Sequence, residues 1–281
     1  MTHSLKWFFF LAINALLCAV LVRAARCDAI PSASSLPESV AAADALTPVS
    51  VTPALGFNAY HVQGLAVTDD WFYLTGVDKY AASAWIFKVN RKSGEKVLEK
   101  SIAKRPDIHP SGIDYDGKYI WVAMAVYEED SHTYMTIVDP ETLKRKVLFE
   151  VDDHIGAVAR HEDLVIGANW NARDFYFFTL KGDLVDKKPS PTGIGYQDCE
   201  GVDGFLMCTG GGFLDWIDVG TWALAKRFPV DVSEQGSPLS REGVSWYDGH
   251  VFFLPDDGAE GKIYEYSFSQ NRGQATEQGH P

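Results

Sequence analysis

Short apolar runs alternate with polar turns along the whole chain after residue 45, and the pattern repeats. Each repeat opens on a glycine that follows a polar stretch and precedes an apolar run: Gly64, Gly112, Gly156, Gly201 and Gly243. These glycines lie roughly 40–50 residues apart, which is the period of a β-propeller blade. A single blade cannot bury both of its faces, whereas five blades packed in a ring can. The pattern therefore predicts a ring of five blades.

Each repeat divides into four strands. The first two are joined by a tight turn, and three of these turns carry an Asp-Gly signal: Asp116-Gly117, Asp203-Gly204 and Asp248-Gly249. Asp-Gly between apolar runs is a strong hairpin signal because the turn needs positive φ angles. The third strand is apolar and aromatic, and the fourth is more polar, as an outer edge should be. An open sandwich also has short strands at regular spacing, but its strands do not recur in groups of four.

The fifth repeat ends after its third strand. Residues 48–52, upstream of the first repeat, are rich in β-branched side chains and have no other place in the pattern. We predict that they supply the missing outer strand and close the ring. The expected fold is all-β, a five-bladed β-propeller of four-stranded antiparallel blades that spans residues 46–268.

The N-terminus has a different character. Lys6 precedes a nearly continuous apolar run from Trp7 to Val22, and small residues follow. This layout predicts a signal peptide over residues 1–24, with a retained membrane anchor as the alternative. Residues 25–45 are rich in Ala, Ser and Pro and are predicted to be a flexible leader, and residues 269–281 a disordered tail. We expect a secreted or periplasmic protein that is monomeric and does not contact the membrane in its mature form.

Two cysteines flank the Asp203-Gly204 turn symmetrically. A two-stranded hairpin would place Cys199 opposite Cys208, and directly opposed residues lie close enough for a bridge in the right register. Disulfides persist in oxidising compartments. We therefore predict a Cys199–Cys208 disulfide.

The formal net charge of −13 limits the partners. Such a surface repels nucleic acid and anionic membranes and attracts cations. The expected partner is a small-molecule substrate or an extracellular ligand.

The loops after the second strand of each repeat emerge on the face where the first strands begin, and they are long and polar. Binding groups concentrate on loops that a rigid scaffold holds. Lys79, Arg173 and Arg241 are the cations available there for an anionic substrate group, and Trp170 is a candidate stacking surface.

Oxygen-bearing side chains stand immediately before four of the five glycines: Gln63, Ser111, Glu200 and Glu242. If they converge on the axis, they form a hard-oxygen site suited to Ca²⁺ or another divalent cation. The alternative is an ordinary water-filled channel with polar walls. Ile155 occupies the fifth position and interrupts the set.

A polar or acidic residue before the blade glycine resembles the pattern of calcium-dependent nucleotidases (apyrases) and of the regucalcin, gluconolactonase and strictosidine-synthase-like propellers. The stretch Glu242-Gly243-Val244-Ser245-Trp246 is most similar to a nucleotidase blade. This resemblance implies a secreted, calcium-holding hydrolase with Gln63, Ser111, Glu200 and Glu242 as the metal positions. Ile155 departs from that pattern, and the chain lacks a basic cluster for a polyphosphate.

Two hypotheses of different classes follow. The first is an exported metal-dependent hydrolase of a small phosphoester or lactone at the channel mouth, in which His154 or Asp198 activates water. The second is a non-catalytic propeller that binds a ligand or protein and holds only a structural ion. A third reading, hydrolysis of a glycoside, would use two carboxylates from a larger acidic set with Trp170 beneath the sugar. That set is Asp153, Asp198, Glu200, Glu242, Asp256 and Asp257.

Overall fold

A computed structural model describes residues 35–270 of the chain. The predicted signal peptide, the first part of the predicted leader and nearly all of the predicted tail lie outside these residues. The described part begins with a short helix, α1 (Glu38–Ala42), and a strand, β1 (Ala45–Val51). Among these residues no helix is long and apolar enough to cross a membrane.

Four blades are each built from four consecutive antiparallel strands, ordered from the inner edge to the outer edge. The first blade is β2 (His61–Val67), β3 (Trp71–Asp78), β4 (Ser83–Asn90) and β5 (Lys96–Ser101). The second is β6 (His109–Tyr115), β7 (Ile120–Ala125), β8 (Thr133–Val138) and β9 (Arg145–Val151). The third is β10 (Ile155–His161), β11 (Leu164–Asn169), β12 (Asp174–Thr179) and β13 (Leu184–Pro189). The fourth is β14 (Asp198–Val202), β15 (Phe205–Gly210), β16 (Phe213–Asp218) and β17 (Ala223–Pro229).

The fifth blade joins the two ends of the ring. It consists of β18 (Gly243–Tyr247), β19 (His250–Leu254) and β20 (Tyr264–Ser269), with β1 as its outer strand. β1 pairs with β20 in antiparallel register, for example Leu46 with Phe268. The predicted five-bladed propeller and its closure by an N-terminal strand are confirmed.

The hairpin turns adopt the conformation that their sequences predict. Asp203 and Gly204 have φ values of 46° and 90°, as a two-residue mirror-image turn requires. This turn fixes the register of β14 on β15, so that Cys199 lies directly opposite Cys208 with a Cα–Cα distance of 4.1 Å. The two cysteines form the predicted disulfide.

The core consists of five apolar clusters, one between each pair of neighbouring blades. Between the fourth and fifth blades, the fully buried Trp216 packs edge-to-face on Trp246 with 5.2 Å between ring centroids. Aromatic side chains of this kind contribute much of the buried apolar area that holds blades together. Removing one blade would expose two clusters, so the ring stabilises itself as a unit.

The periodic glycines lie where neighbouring inner strands approach each other. A Cβ at Gly243 would lie 2.8 Å from the backbone nitrogen of Leu65, so a side chain has no room there. The fourth blade differs, because a Cβ at Gly201 would lie 1.7 Å from the carbonyl oxygen of Arg160, four positions beyond Gly156. Gly201 therefore lies deeper in the channel than the repeat predicts.

The predicted flexible leader differs from the structure in its last part. Residues 38–42 form α1, and Val40 and Ala43 are buried against the cluster between the fourth and fifth blades. Their apolar side chains give this segment a surface to pack with, so residues before 46 already have regular structure and pack on the propeller.

Candidate active site at the channel mouth

A pocket of about 120 Å³ opens at the end of the channel where the inner strands begin. All five blades contribute to it, through residues at or just before the start of the inner strands and through loops after the second strands. The residues that carry its chemistry are Gln63, His109, Tyr127, His154, Trp170 and Glu242. The rigid β-scaffold thus brings polar groups from distant parts of the chain to one place.

Glu242 lies in the wall of this pocket and is only 6% exposed. Its Oε2 accepts a long hydrogen bond of 3.5 Å from Gln63 Nε2, and its Oε1 lies 3.9 Å from His61 Nδ1. Burial raises the pKa of Glu242 to about 8, although Arg241 and Lys79 pull it down. At neutral pH this side chain is therefore a carboxylic acid that can donate a proton.

Two histidines form a buried pair in the wall of the same pocket. His154 Nδ1 lies 2.9 Å from the carbonyl oxygen of Glu128, so this nitrogen carries the proton because a carbonyl only accepts. His154 Nε2 then accepts from His109 Nδ1 at 3.0 Å. Burial lowers the pKa of both histidines, and that of His109 lies well below its ordinary value. His109 is therefore neutral, with the lone pair on its Nε2.

Aromatic rings hold this pair in place. Tyr127 packs edge-on to His109 with 4.3 Å between centroids, and Trp170 packs edge-on to His154 at 4.6 Å. Trp170 begins the 3₁₀ turn Trp170–Ala172, in which Asn171 and Ala172 have φ values of 59° and 48°. Such left-handed residues other than glycine cost energy and cluster at functional sites.

A second hollow of about 500 Å³ adjoins the pocket, and His61 lines both. We call it the outer groove; its walls include Tyr60, Lys79, Tyr80 and Asp257. Burial tends to raise the pKa of Asp257, but hydrogen bonds from His61 and Arg241 outweigh it and lower the pKa to about 2. Asp257 is thus a carboxylate whose charge is already paired.

Asp198 lies below the pocket, inside the channel. It is completely buried, and its Oδ2 accepts from the backbone N–H groups of Val244 at 3.0 Å and Leu65 at 3.4 Å. Burial raises the pKa of Asp198 well above the ordinary value. Its carboxyl group joins the inner strands of three blades, and it does not line the pocket in which the predicted catalytic role would place it.

The four predicted metal positions do not converge. Gln63 and Glu242 meet at the mouth, whereas Ser111 Oγ accepts from Ala123 N–H within its own blade and Glu200 Oε2 accepts from Trp246 N–H. Trp246 is four positions along β18 from Glu242, which is about 13 Å of strand. A calcium ion binds its oxygens at about 2.3–2.6 Å, so this set does not fit one ion. Within residues 35–270 no group of three His, Cys, Asp or Glu side chains is arranged for a metal.

The predicted substrate-binding residues separate into two kinds. Trp170 lines the pocket, and Lys79 lines the outer groove with its Nζ 4.5 Å from the centre of the Tyr127 ring. Arg173 pairs with Glu129, and Arg241 pairs with Asp257 at 3.0 Å.

Sequence reasoning missed two features of the pocket. His109 opens β6 and lines the pocket as a neutral histidine, yet no short motif marks it as a base. Gln197 lines the pocket in the fourth blade. The repeat pattern predicts Glu200 at that place, because Gly201 lies deeper in the channel than the other repeat glycines.

Comparison with known proteins agrees with the fold. A family model described as "Family of unknown function (DUF6454)" matches residues 42–218. No curated protein sequence matches the chain. Among solved structures, the glutaminyl cyclase of Myxococcus xanthus is similar, with 12% sequence identity and a TM-score of 0.58 over 80% of this chain and 97% of that one. A virginiamycin B lyase from Staphylococcus aureus shares 11% identity over 74% of this chain and 66% of that one, with a TM-score of 0.43. These comparisons do not show the predicted likeness to apyrases or regucalcin-type propellers.

Proposed function

The chain belongs to the DUF6454 family, a family of unknown function, so we propose an activity from its own residues. We propose that the channel mouth is the active site of an enzyme that transfers protons to and from a small polar substrate. His109 is the base and Glu242 is the acid. The observation that carries the proposal is that a neutral histidine and a protonated carboxyl group line the same pocket.

Acid–base catalysis typically uses two titratable groups, one kept unprotonated by its environment so that it can act as the base and one kept protonated so that it can act as the acid. His109 Nε2 takes a proton from an attacking water molecule, and the oxygen of that water forms a bond to the substrate. Glu242 gives its proton to the oxygen that leaves. The hydrogen bond from His109 Nδ1 to His154 Nε2 orients the base and supports the positive charge that forms on it.

This arrangement suits hydrolysis of a small ester or lactone. Water adds to the acyl carbon, and the carbon–oxygen bond to the leaving group breaks. Proton exchange with solvent then removes the proton from His109 and returns one to Glu242, which restores both groups. The rings of Tyr127 and Trp170 give the pocket apolar faces for the rest of the substrate. A phosphoester is less suited, because Arg173 and Arg241 are already paired with carboxylates.

The proposal routes no step through a metal ion, and calcium dependence stays a prediction. We further propose that the protein works outside the reducing cytosol, because its disulfide is typical of proteins in oxidising compartments.

The test is a substrate screen with defined variants in EDTA-treated buffer. The panel contains lactones, small esters, phosphoesters and glutaminyl peptides, the last because the similar propeller named above is a glutaminyl cyclase. Glu242→Gln and His109→Gln should each lower kcat/KM by about 10²–10⁴-fold. His132→Gln and Glu150→Gln, which alter side chains outside the pocket, should leave activity unchanged. Circular dichroism checks that each variant is folded.

Three outcomes would overturn the proposal. The first is full activity in Glu242→Gln or His109→Gln. The second is activity that EDTA abolishes and Ca²⁺ restores, which would support the metal-dependent hydrolase instead. The third is the absence of any turnover across the panel, which would favour the non-catalytic binding propeller.

A further inference from the structure

We infer that the substrate carries an anionic oxygen group, a carboxylate or a phosphate, and that Lys79 binds this group in the outer groove. The inference rests on the proposed function, because it names the substrate class for the same site.

The position of Lys79 is the first support. It lies on the loop between β3 and β4, and its ammonium group sits over the Tyr127 ring, 4.5 Å from the centroid. The same ring contacts His109 edge-on at 4.3 Å between centroids. One aromatic side chain therefore separates the ammonium group from the proposed base. A substrate that contacts both Lys79 and His109 would carry its anionic group only a few bonds from the atom that reacts.

The pairing of charges at the mouth is the second support. Arg241 is bonded to Asp257 and Arg173 to Glu129, so both of these cations are already neutralised. Within the part of the chain that the structure describes, no carboxylate lies within ion-pair distance of Lys79. Its neighbour Asp78 turns back and accepts hydrogen bonds from Tyr80 N–H and Ala81 N–H at 3.0 Å each. Lys79 therefore keeps its charge available for a ligand.

The field of the rest of the molecule gives the third support. The chain has a formal net charge of −13, so a negative ligand is repelled from most of its surface. At the mouth Glu242 is protonated, the two histidines are neutral and Asp257 is paired. Asp78 also lines the outer groove, where it accepts backbone N–H groups. Of the three cations near the mouth, Arg173 and Arg241 have carboxylate partners, so Lys79 is the one that can pair with an anion, which is selected by position rather than by overall attraction.

The two hollows fit such a molecule. The inner pocket of about 120 Å³ holds a compact acyl group between His109 and Glu242. The outer groove of about 500 Å³ holds the remainder, with its anionic end beside Lys79 and its apolar part against Tyr60 and Tyr80.

Equilibrium binding of matched probes tests the inference without any turnover. Hippurate, hippuramide and phenyl phosphate are titrated into the full chain at constant ionic strength, and binding is followed by tryptophan fluorescence and ligand-observed NMR. Hippurate or phenyl phosphate should bind at least tenfold more tightly than the neutral hippuramide. Whichever of these two anions binds more tightly shows whether the site prefers a carboxylate or a phosphate.

The variants locate the binding site. Lys79→Met should weaken binding of the preferred anion at least tenfold, and Lys79→Arg should retain it. Lys118→Met is the matched control, because Lys118 also lies over a tyrosine ring, 5.0 Å from the centre of Tyr119, but does not line either hollow. It should bind like the unaltered protein.

The inference is wrong if neither anion binds more tightly than hippuramide, or if Lys79→Met binds the anion as well as Lys118→Met does. Either result would leave the acid–base proposal intact, since that proposal is judged by the activity of the Glu242→Gln and His109→Gln variants. Conversely, anion binding at Lys79 in a protein without turnover would support the site as a binding site alone.

Discussion

The carboxyl group of Asp198 fills the space that a side chain at position 112 would need, because a Cβ on Gly112 would lie 2.0 Å from Asp198 Oδ1. Asp198 belongs to the fourth blade and Gly112 to the second, so the contact crosses the channel. The same carboxyl group accepts N–H groups from Leu65 and Val244, in the first and fifth blades. Four of the five inner strands thus meet at one side chain, which makes Asp198 a structural centre of the ring.

Replacing Gly112 by alanine should therefore destabilise the fold. The added methyl group would displace Asp198 and weaken its bonds to two other blades, so we expect a loss of about 3 kcal/mol, at the upper end for overpacked cores. Gly156→Ala is the control, because the corresponding glycine of the third blade has its nearest neighbour, the carbonyl oxygen of Asn169, at 3.9 Å. Urea unfolding of both variants measures the difference. Equal unfolding midpoints would show that the channel adapts to the extra methyl group.

The disulfide should stabilise the fourth blade by restricting the unfolded chain. Cys199 and Cys208 are nine residues apart, and closing a loop of this size is worth about 2–3 kcal/mol in the chain-entropy account. Dithiothreitol should therefore lower the melting temperature of the unaltered protein. The double variant Cys199→Ala/Cys208→Ala should melt at the lower temperature with or without the reductant. A melting temperature that dithiothreitol leaves unchanged in the unaltered protein would contradict this expectation.

The buried carboxyl groups of the channel should make the protein less stable as pH rises. Burial raises the pKa of Asp114 to about 7, although the N–H groups of Arg160 and Gly201 oppose this. In the unfolded chain an aspartate ionises near pH 3.9. Between these two pH values the native state keeps a proton that the unfolded state releases. The contribution of Asp114 to the free energy of unfolding is therefore complete below about pH 4 and is lost as pH rises through 7. Burial also raises the native-state pKa values of Asp198 and Glu200.

Urea unfolding at pH 5.5 and pH 8 measures this effect, and the unfolding midpoint should be lower at pH 8. Asp114→Asn should reduce the pH dependence, since the amide stays neutral and its oxygen can still accept the two N–H groups. Asp70→Asn, a change at an exposed ion pair with Lys92, is the control. A midpoint that rises between pH 5.5 and pH 8 would show that other groups dominate.

The fold could be predicted from the sequence because its signals are local. The Asp203-Gly204 turn sets its own register, and that register places Cys199 opposite Cys208. The β-branched residues 48–52 had no partner other than the incomplete fifth blade, and β1 lies there. The first of these inferences needed only a short stretch of chain, and the second needed the count of strands over the five repeats.

The site could be predicted only in part because its geometry depends on how blades face one another. Gln63 and Glu242 meet as expected, since both precede glycines at the same depth. Glu200 does not join them, because Gly201 approaches Arg160 rather than the mouth. The protonation state of His109 depends first on its burial and then on His154 beside it, 45 positions away, and no local pattern reports either.

The last prediction concerns the pH dependence of activity on any substrate that the screen identifies. kcat/KM should rise with pH as His109 loses its proton below pH 6.5 and should fall near pH 8 as Glu242 loses its own. Because the Lys79 charge lowers the pKa of Glu242, Lys79→Met should move the alkaline limb to higher pH. Lys118→Met should leave both limbs in place. A profile that still rises above pH 8 would mean that Glu242 acts as an ionised base, which would reverse the roles assigned to the two residues.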